Sequence, residues 1–343
     1  LSNKYTDVIL LKISQTINSF RFFGSVASLL LKGGIMMKGL PQAIGMLVIV
    51  MCMNALAVVP ATAQVAVVPV EPKPEPKPFG LMFGYGHQAN TDLKKSSGDF
   101  HRNSWMGSFN AQVDFSDEVK LNNILRYEYH NYNFSNSSRF QWDNVHRFVY
   151  APLFLWRTNA QWTIMGAPVL QWTGESGAKI SDSFTGGGLV GFNYTASPDL
   201  SLGLLVGALS QIEDDAILAP IPLVKWQFVQ GWTLRFGLSR LGPTNGLGGE
   251  VGWKLAKTVE LAAGLQYQRR RFRLDKGNAV GEETLAPVFG KLTWQISPQG
   301  SVELFGSVAT NGTLRLENKN GNKITEKDYD NTAYFGGQLH FIF

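Results

Sequence analysis

The side chains with chemical potential in this sequence are charged groups that recur at every second position of apolar segments. Asp114, Lys120, Arg126, Glu128, His130, Lys225, Arg235, Glu250, Lys254, Glu260, Arg270, Lys291 and Glu303 each alternate with an apolar neighbour. At a spacing of two, such groups share one face of an extended chain. Together they make a charged wall, which either lines a wet passage and biases what crosses it or pairs across the space and closes it. A second group is Arg269-Arg270-Arg271-Phe272-Arg273. Here Arg269, Arg271 and Arg273 lie on the face opposite Arg270. Guanidinium groups in that arrangement suit lipid phosphates, and snorkelling of long side chains at an interface is the simpler reading.

Chemistry of other kinds is poorly represented. There is no G-x-S-x-G, no phosphate-binding G-x-x-x-x-G-K-[ST] and no H-E-x-x-H. The five histidines, His87, His101, His130, His146 and His340, fall in separate segments. Asp99 with His101, and Asp143 with His146, share loop-like stretches whose polar composition accounts for them without catalysis. Glu213-Asp214-Asp215 reads as solvated acid rather than a calcium loop. A single cysteine excludes a disulfide framework and a Cys-based zinc site. No enzyme, metal or cofactor is expected.

The elements that must position the charged wall follow from composition and period. The chain has 343 residues, 17% charged and 12% aromatic, with 36 glycines. That composition argues against disorder. A mean hydropathy of -0.05, without a long central apolar run, excludes a polytopic helical membrane protein. Residues 1–63 hold five basic residues and one acid, which leaves 26 basic against 25 acidic in the remainder. The formal net charge of +5 thus belongs mostly to the leader, and nucleic acid is not implied. Met36-Met37-Lys38, the apolar stretch Ala43 to Val59, and Ala61-Thr62-Ala63 form the three parts of a secretory signal peptide. Residues 1–35 precede it and are read as a mis-assigned start or a long leader. Residues 64–78, rich in Glu-Pro and Lys-Pro, are expected to be a stiff extended periplasmic linker.

From Phe79 to Phe343 the period is two. Trp105, Gly107, Phe109, Ala111, Val113 and Phe115 alternate with more polar residues, as do Val259, Leu261, Ala263, Leu265 and Tyr267. Short turns, such as Ser116-Asp117 and Ala256–Thr258, alternate with longer polar stretches near 87–103, 133–146, 173–184, 209–216, 241–246, 274–282 and 310–331. About 14 strands result, an even number. Trp156, Trp162, Trp226, Trp232 and Trp294 flank the short turns, and Trp105 and Trp172 lie near the long ones, where amphipathic rings would mark two membrane interfaces.

The last segment carries the most specific signal: Ala333, Phe335, Gly337, Leu339, Phe341 and terminal Phe343 form one apolar face. It resembles the C-terminal strand of Gram-negative outer-membrane β-barrel proteins. The resemblance implies an all-β fold, a transmembrane antiparallel up-and-down β-barrel over 79–343, preceded by a signal-peptide helix. It also implies location in the outer membrane, contact with outer-membrane lipid and with the barrel-assembly machinery that reads the strand ending at Phe343, and no nucleic-acid partner. The first strand, from Phe79, is expected to pair with the last.

A porin-like passive channel for small solutes is the leading expectation, because a barrel of this size is wider than one filled by its own side chains. A closed structural or surface-interaction barrel is the alternative, and a barrel enzyme of the outer leaflet is a third. The candidate pore-lining residues are Asp114, Lys120, Arg126, Glu128, Lys225, Arg235, Glu250, Lys254, Glu260, Arg270, Lys291 and Glu303. Arg269, Arg271 and Arg273 are the lipid-binding candidates. Ala-Pro recurs at 151–152, 167–168, 219–220 and 286–287, with Pro222 beside the third. Proline within strands implies a bulge or an edge. In strand count and wall kinks the chain is similar to outer-membrane fatty-acid and aromatic-hydrocarbon channels, which implies a lateral exit; residues 64–78 are short for the N-terminal plug those channels carry.

Overall fold

The computed structural model describes residues 78–137 and 140–343. The expected leader 1–63 and all but the last residue of the linker lie outside them. The strands are β1 (Phe79–Asp92), β2 (Asp99–Asp114), β3 (Val119–Ser135), β4 (Asn144–Arg157), β5 (Trp162–Glu175), β6 (Phe184–Ser197), β7 (Leu200–Gln211), β8 (Asp214–Val229), β9 (Trp232–Leu241), β10 (Thr244–Ala256), β11 (Val259–Arg273), β12 (Val280–Ser297), β13 (Gly300–Glu317), β14 (Lys323–Asp328) and β15 (Thr332–Ile342). Each pairs antiparallel with its sequence neighbour from β1 to β13. β14 and β15 both pair with β13 in one register, Thr313↔Asp328 continuing as Ala309↔Thr332. They are therefore one barrel strand interrupted at 329–331, and the wall has 14 strands.

Closure follows from the chain ends. β1 pairs with β15 from Gly80↔Ile342 to Gln88↔Tyr334. The Phe79 N–H donates to the Phe343 carbonyl at 3.0 Å, and the Phe343 N–H donates back at 2.9 Å. Their rings lie 5.9 Å apart. Joining the ends removes both sheet edges, and in an apolar medium every unpaired main-chain group would cost several kcal/mol. Outside, the alternate residues Phe83, Trp105, Phe154, Val190, Val288 and Leu304 are exposed around the circumference. An exposed apolar belt of this kind is characteristic of barrels that sit in a bilayer. Phe115, Trp156, Trp162, Trp232 and Trp294 are exposed near the short turns.

The connections at the other end are shorter than their composition suggests. β7 and β8 are separated by Ile212 and Glu213 alone, and β9 and β10 by Gly242 and Pro243 alone. Glu213 (φ 49) and Gly242 (φ 54) take the left-handed conformation these tight turns require. β13 and β14 extend the wall through most of the expected 310–331 loop, and Leu314 within it is fully buried. Polar and glycine-rich sequence implies solvated loop, whereas here it pairs or packs against other protein.

The closing seam tolerates little added volume. A Cβ on Gly336 would collide with the Tyr85 carbonyl oxygen and lie 2.8 Å from the Gly86 Cα, while one on Gly306 meets nothing within 4 Å. Gly336→Val is expected to lower stability by roughly 1–3 kcal/mol and Gly306→Val to leave it near wild type. The heat-induced mobility shift of the folded barrel on gels reads both, and equal midpoints would contradict this account of the seam.

Candidate functional site: the lumen and a break in the wall

Inward-facing residues at the loop end do not surround open space. Glu283 on β12 pairs with Arg102 on β2 and with Arg270 Nη1 on β11 at 2.8 Å. It also accepts from the Tyr132 hydroxyl at 2.7 Å and the Tyr329 hydroxyl at 3.1 Å. The Arg102 and Glu283 side chains are both 0% exposed. The Arg102 guanidinium lies 5.6 Å from the Tyr132 ring centre and 5.7 Å from that of Tyr334. A second knot centres on Glu128, with Arg126 Nε at 2.7 Å, His130 Nε2 at 3.2 Å and Arg147 Nη1 at 3.3 Å. Nearer the loops, Phe100, Phe140, Trp142, Phe272, Leu274 and Leu314 join Tyr132 and Tyr329 in one buried cluster. β2 and β3 thus pack across the lumen against β11 to β14. The loops above are tied as well. Asp182 accepts from Asn278 Nδ2 at 2.8 Å and from Ser181 Oγ at 3.0 Å, which holds its carboxyl below the usual carboxylate range.

The β9–β10 hairpin leaves the wall and enters the lumen. β9 pairs with β8 only between Val224↔Phe236 and Val229↔Trp232. β10 pairs with β11 only between Leu247↔Tyr267 and Ala256↔Val259. Beyond those points the hairpin pairs with itself, ending at Thr244↔Leu241. The bend comes at Gly237, whose φ of 141 and 2.7 Å Cβ approach to Leu223 Cδ2 exclude a side chain. Interior groups satisfy the hairpin's backbone. Arg126 Nη2 donates to the Pro243 carbonyl at 2.9 Å, and Gln266 Nε2 to the Ser239 carbonyl at 2.8 Å. Gln268 Nε2 donates to Thr244 Oγ1 at 2.7 Å. Leu241 packs with Leu285, Phe289, Phe305, Ala309 and Tyr334. The hairpin therefore lies along the inner wall made by β11 to β15.

Its departure leaves a break. β8 from Asp214 to Leu223 and β11 from Gln268 to Phe272 have lost the partner between them, and at the loop end Arg273 forms a parallel bridge with Gly174 of β5. Side chains span the gap only at the loop end. Arg269 meets Asp214 at 3.3 Å, Arg271 Nε donates to the Ile212 carbonyl at 2.6 Å, and Arg273 reaches Glu213 at 2.6 Å. Pro220 and Pro222 lie on β8 opposite Val206 and Leu204, inside an unbroken ladder with β7. Proline has no N–H to give that ladder, so both nitrogens must face the other edge, the edge at the break. Two donors that oil would leave bare are thereby absent.

The lumen has two characters. Register places Leu205 and Leu209 on the inner face of β7 with Ile221 and Leu223 of β8. A Cβ on Gly207 would meet Leu189 Cδ2 at 2.7 Å, which puts β6 Leu189 on the same face. Met165, Ala167 and Val169 continue that face on β5. This side is apolar, and its larger side chains are mostly half-buried. Opposite, at the turn end, Arg235 bonds Glu260 through two nitrogens at 2.7 and 2.9 Å and Glu250 at 3.0 Å. Lys291 meets Glu250 at 2.8 Å and Glu303 at 3.6 Å. A cavity of about 380 Å³ lies among these groups, with Met82, Leu238, Arg240, Gln338 and His340 also in its lining.

The candidate residues from sequence fall into separate places. Arg126, Glu128 and Arg270 belong to the buried knots. Arg235, Glu250, Lys291 and Glu303 line the cavity, with Glu260 bonded to Arg235. Lys120 pairs with Asp114 at 3.4 Å beside a short turn. Lys225 lies opposite Arg235 in the ladder, and Lys254 opposite Glu260. Arg269, Arg271 and Arg273 are engaged by protein, since Arg269 and Arg271 share Glu282 at 2.8 and 3.0 Å and Arg271 also pairs with Glu317. Sequence reasoning missed Arg102, Arg147, Arg240, Glu283 and the tyrosines Tyr132, Tyr329 and Tyr334. Arg102 and Glu283 did carry a signal, the same two-residue spacing as their neighbours, but each lay in or beside a stretch taken for loop.

No family model matches the chain, and no curated protein does. Among solved structures it is similar to an outer membrane channel from Pseudomonas putida F1, at 10% identity over 81% of this chain and 100% of that chain, with a TM-score of 0.46. It is similar to the CymD monoaromatic hydrocarbon channel at 10% identity, over 78% of this chain and 89% of that chain, with a TM-score of 0.44. The KdgM porin is similar at 10% identity, over 76% of this chain and 99% of that chain, with a TM-score of 0.30.

Removing the Glu283 carboxylate would leave Arg102 and Arg270 buried together without their common counter-charge. Glu283→Gln is expected to cost about 3–5 kcal/mol of stability, and adding Arg102→Met to recover part of it. Urea unfolding in lipid vesicles measures both. A single variant as stable as wild type would mean that the knot is not what holds this end together.

Proposed function

We propose that this chain is an outer-membrane β-barrel that passes small solutes passively, and that its outer opening lies in the wall between β8 and β11 rather than along the barrel axis. The observation that carries the reading is the pairing gap itself. A fourteen-stranded barrel has enough residues to keep its ladder complete, yet β9 and β10 turn inward at Gly237 and leave two strand edges facing each other. The Glu283 and Glu128 knots and the aromatic cluster pack into the loop end of the lumen, which favours an opening elsewhere. The apolar inner face of β5 to β8 borders the gap and offers a surface to solutes that carry apolar area of their own.

The belt would be covered by outer-membrane lipid, and the strand ending at Phe343 would be the segment the assembly machinery engages. The signal-peptide pattern supports export. The same packed knots favour a second reading, a closed structural barrel, and transport separates the two.

The test locks the gap. In a Cys52→Ser background, Leu218→Cys on β8 and Tyr267→Cys at the end of the β10–β11 ladder, both away from the bridged loop end, are joined by a reducible bifunctional thiol reagent long enough to span the gap, and solute uptake into proteoliposomes is followed. Uptake by the open protein, slowed several-fold on locking and restored on reduction, is expected. Uptake unaffected by the lock would remove the wall opening from the proposal, and no uptake by the open protein would leave the closed barrel.

A further inference from the structure

We infer that Arg240 is a recognition residue for the carboxylate of a small monoanionic solute with an apolar body, bound in the cavity at the turn end of the lumen. The inference rests on the channel reading and names its substrate class.

The cavity holds three strong cations, and two are already engaged. Arg235 is held by Glu260 and Glu250, and Lys291 by Glu250 and Glu303. Arg240 differs. Among the described residues no carboxylate lies within ion-pair distance of it, its one hydrogen-bond-range contact is the Met82 sulfur, and its buried Nε has no acceptor. Glu303 is taken up by Lys291 and by Gln338 Nε2 at 3.0 Å. A guanidinium carries five donors in a fixed fork that fits a carboxylate, and leaving them unmatched in a partly desolvated site is unfavourable. An entering carboxylate supplies what the protein omits.

The surroundings narrow the class further. Leu238 precedes Arg240 by two residues, shares its strand face, lines the same cavity and is 59% exposed. An apolar body attached to the carboxylate would cover it. Glu250 and Glu303 in the lining would repel a second negative charge, which disfavours dianions. A volume of about 380 Å³ is at the small end of organic-ligand sites.

The test is binding of benzoate, with benzyl alcohol and phthalate as the neutral and dianionic counterparts, to the purified folded barrel by isothermal titration calorimetry. Wild type is expected to bind benzoate in preference to both. Arg240→Gln should weaken benzoate about tenfold or more, as loss of a charge-assisted hydrogen bond does, while Arg240→Lys keeps part of the affinity. Because Arg240 has no acidic partner to strand, Arg240→Gln should fold and melt like wild type. Benzoate binding that is absent from wild type, or equal in Arg240→Gln, overturns the inference. The readout needs no transport, so binding without uptake would count against the channel alone, and uptake without Arg240-dependent binding against this site alone.

Discussion

A main chain in oil has no water to satisfy its amides, and the rest of this structure depends on that. It forces the sheet into a ring and makes the Phe79–Phe343 seam an obligatory contact. It also makes the intervals without a ladder informative: a short one between β4 and β5 around Pro152 and Pro168, and a longer one where β9 and β10 leave the wall. Where β8 loses β9, two prolines occupy the orphaned edge and so present fewer bare donors there. Where β11 loses β10, Gln266 and Gln268 turn inward and donate to the departed hairpin instead. At the loop end, Arg271 and Arg273 donate to carbonyls of the neighbouring turns. The break is a built edge rather than a frayed one.

Electrostatics divides the lumen. Burying a carboxylate and guanidinium together costs several kcal/mol per ion unless all their hydrogen-bonding capacity is met. The Glu283 carboxylate meets two arginines and accepts from two tyrosines, while Arg102 Nε and Nη2 keep no acceptor. The Arg102–Glu283 pair ties β2 to β12 across the lumen. The second cluster, around Arg235 and Lys291, is partly open to solvent and borders a cavity. The first therefore shapes the barrel, and the second leaves space in which a solute can meet charge. The middle of the β5 to β8 face is apolar, and charged groups such as Glu175 on β5 and Lys225 on β8 lie toward its ends.

The inward hairpin connects these features. It opens the wall by leaving it, packs Leu241 into the apolar cluster of β12, β13 and β15, and carries Arg240 into the cavity. A single glycine at a left-handed angle sets this course. One element thus decides where the barrel is open, where it is filled and which cation faces the remaining space.

Period, turn spacing and the aromatic end were enough to give the barrel, its strand number and the pairing of its ends. Alternation is a local property, and a bilayer imposes one face on every strand, so those features survive in the sequence. The ion pairs were legible only as a face: Arg235 and Glu250 could be placed inward, but their pairing, and the bond from Arg235 to Glu260, depend on register between strands. The stretches 209–216, 241–246 and 310–331 suggest loops, because glycine, proline and polar residues mean exposed loop when only water is assumed around them. Here the surroundings are other strands, supplied from positions a hundred or more residues away, such as Arg126 at Pro243. The wall break and the unpaired Arg240 exist only because of where the hairpin goes, and that direction is set by what packs inside a ring that only the folded chain forms.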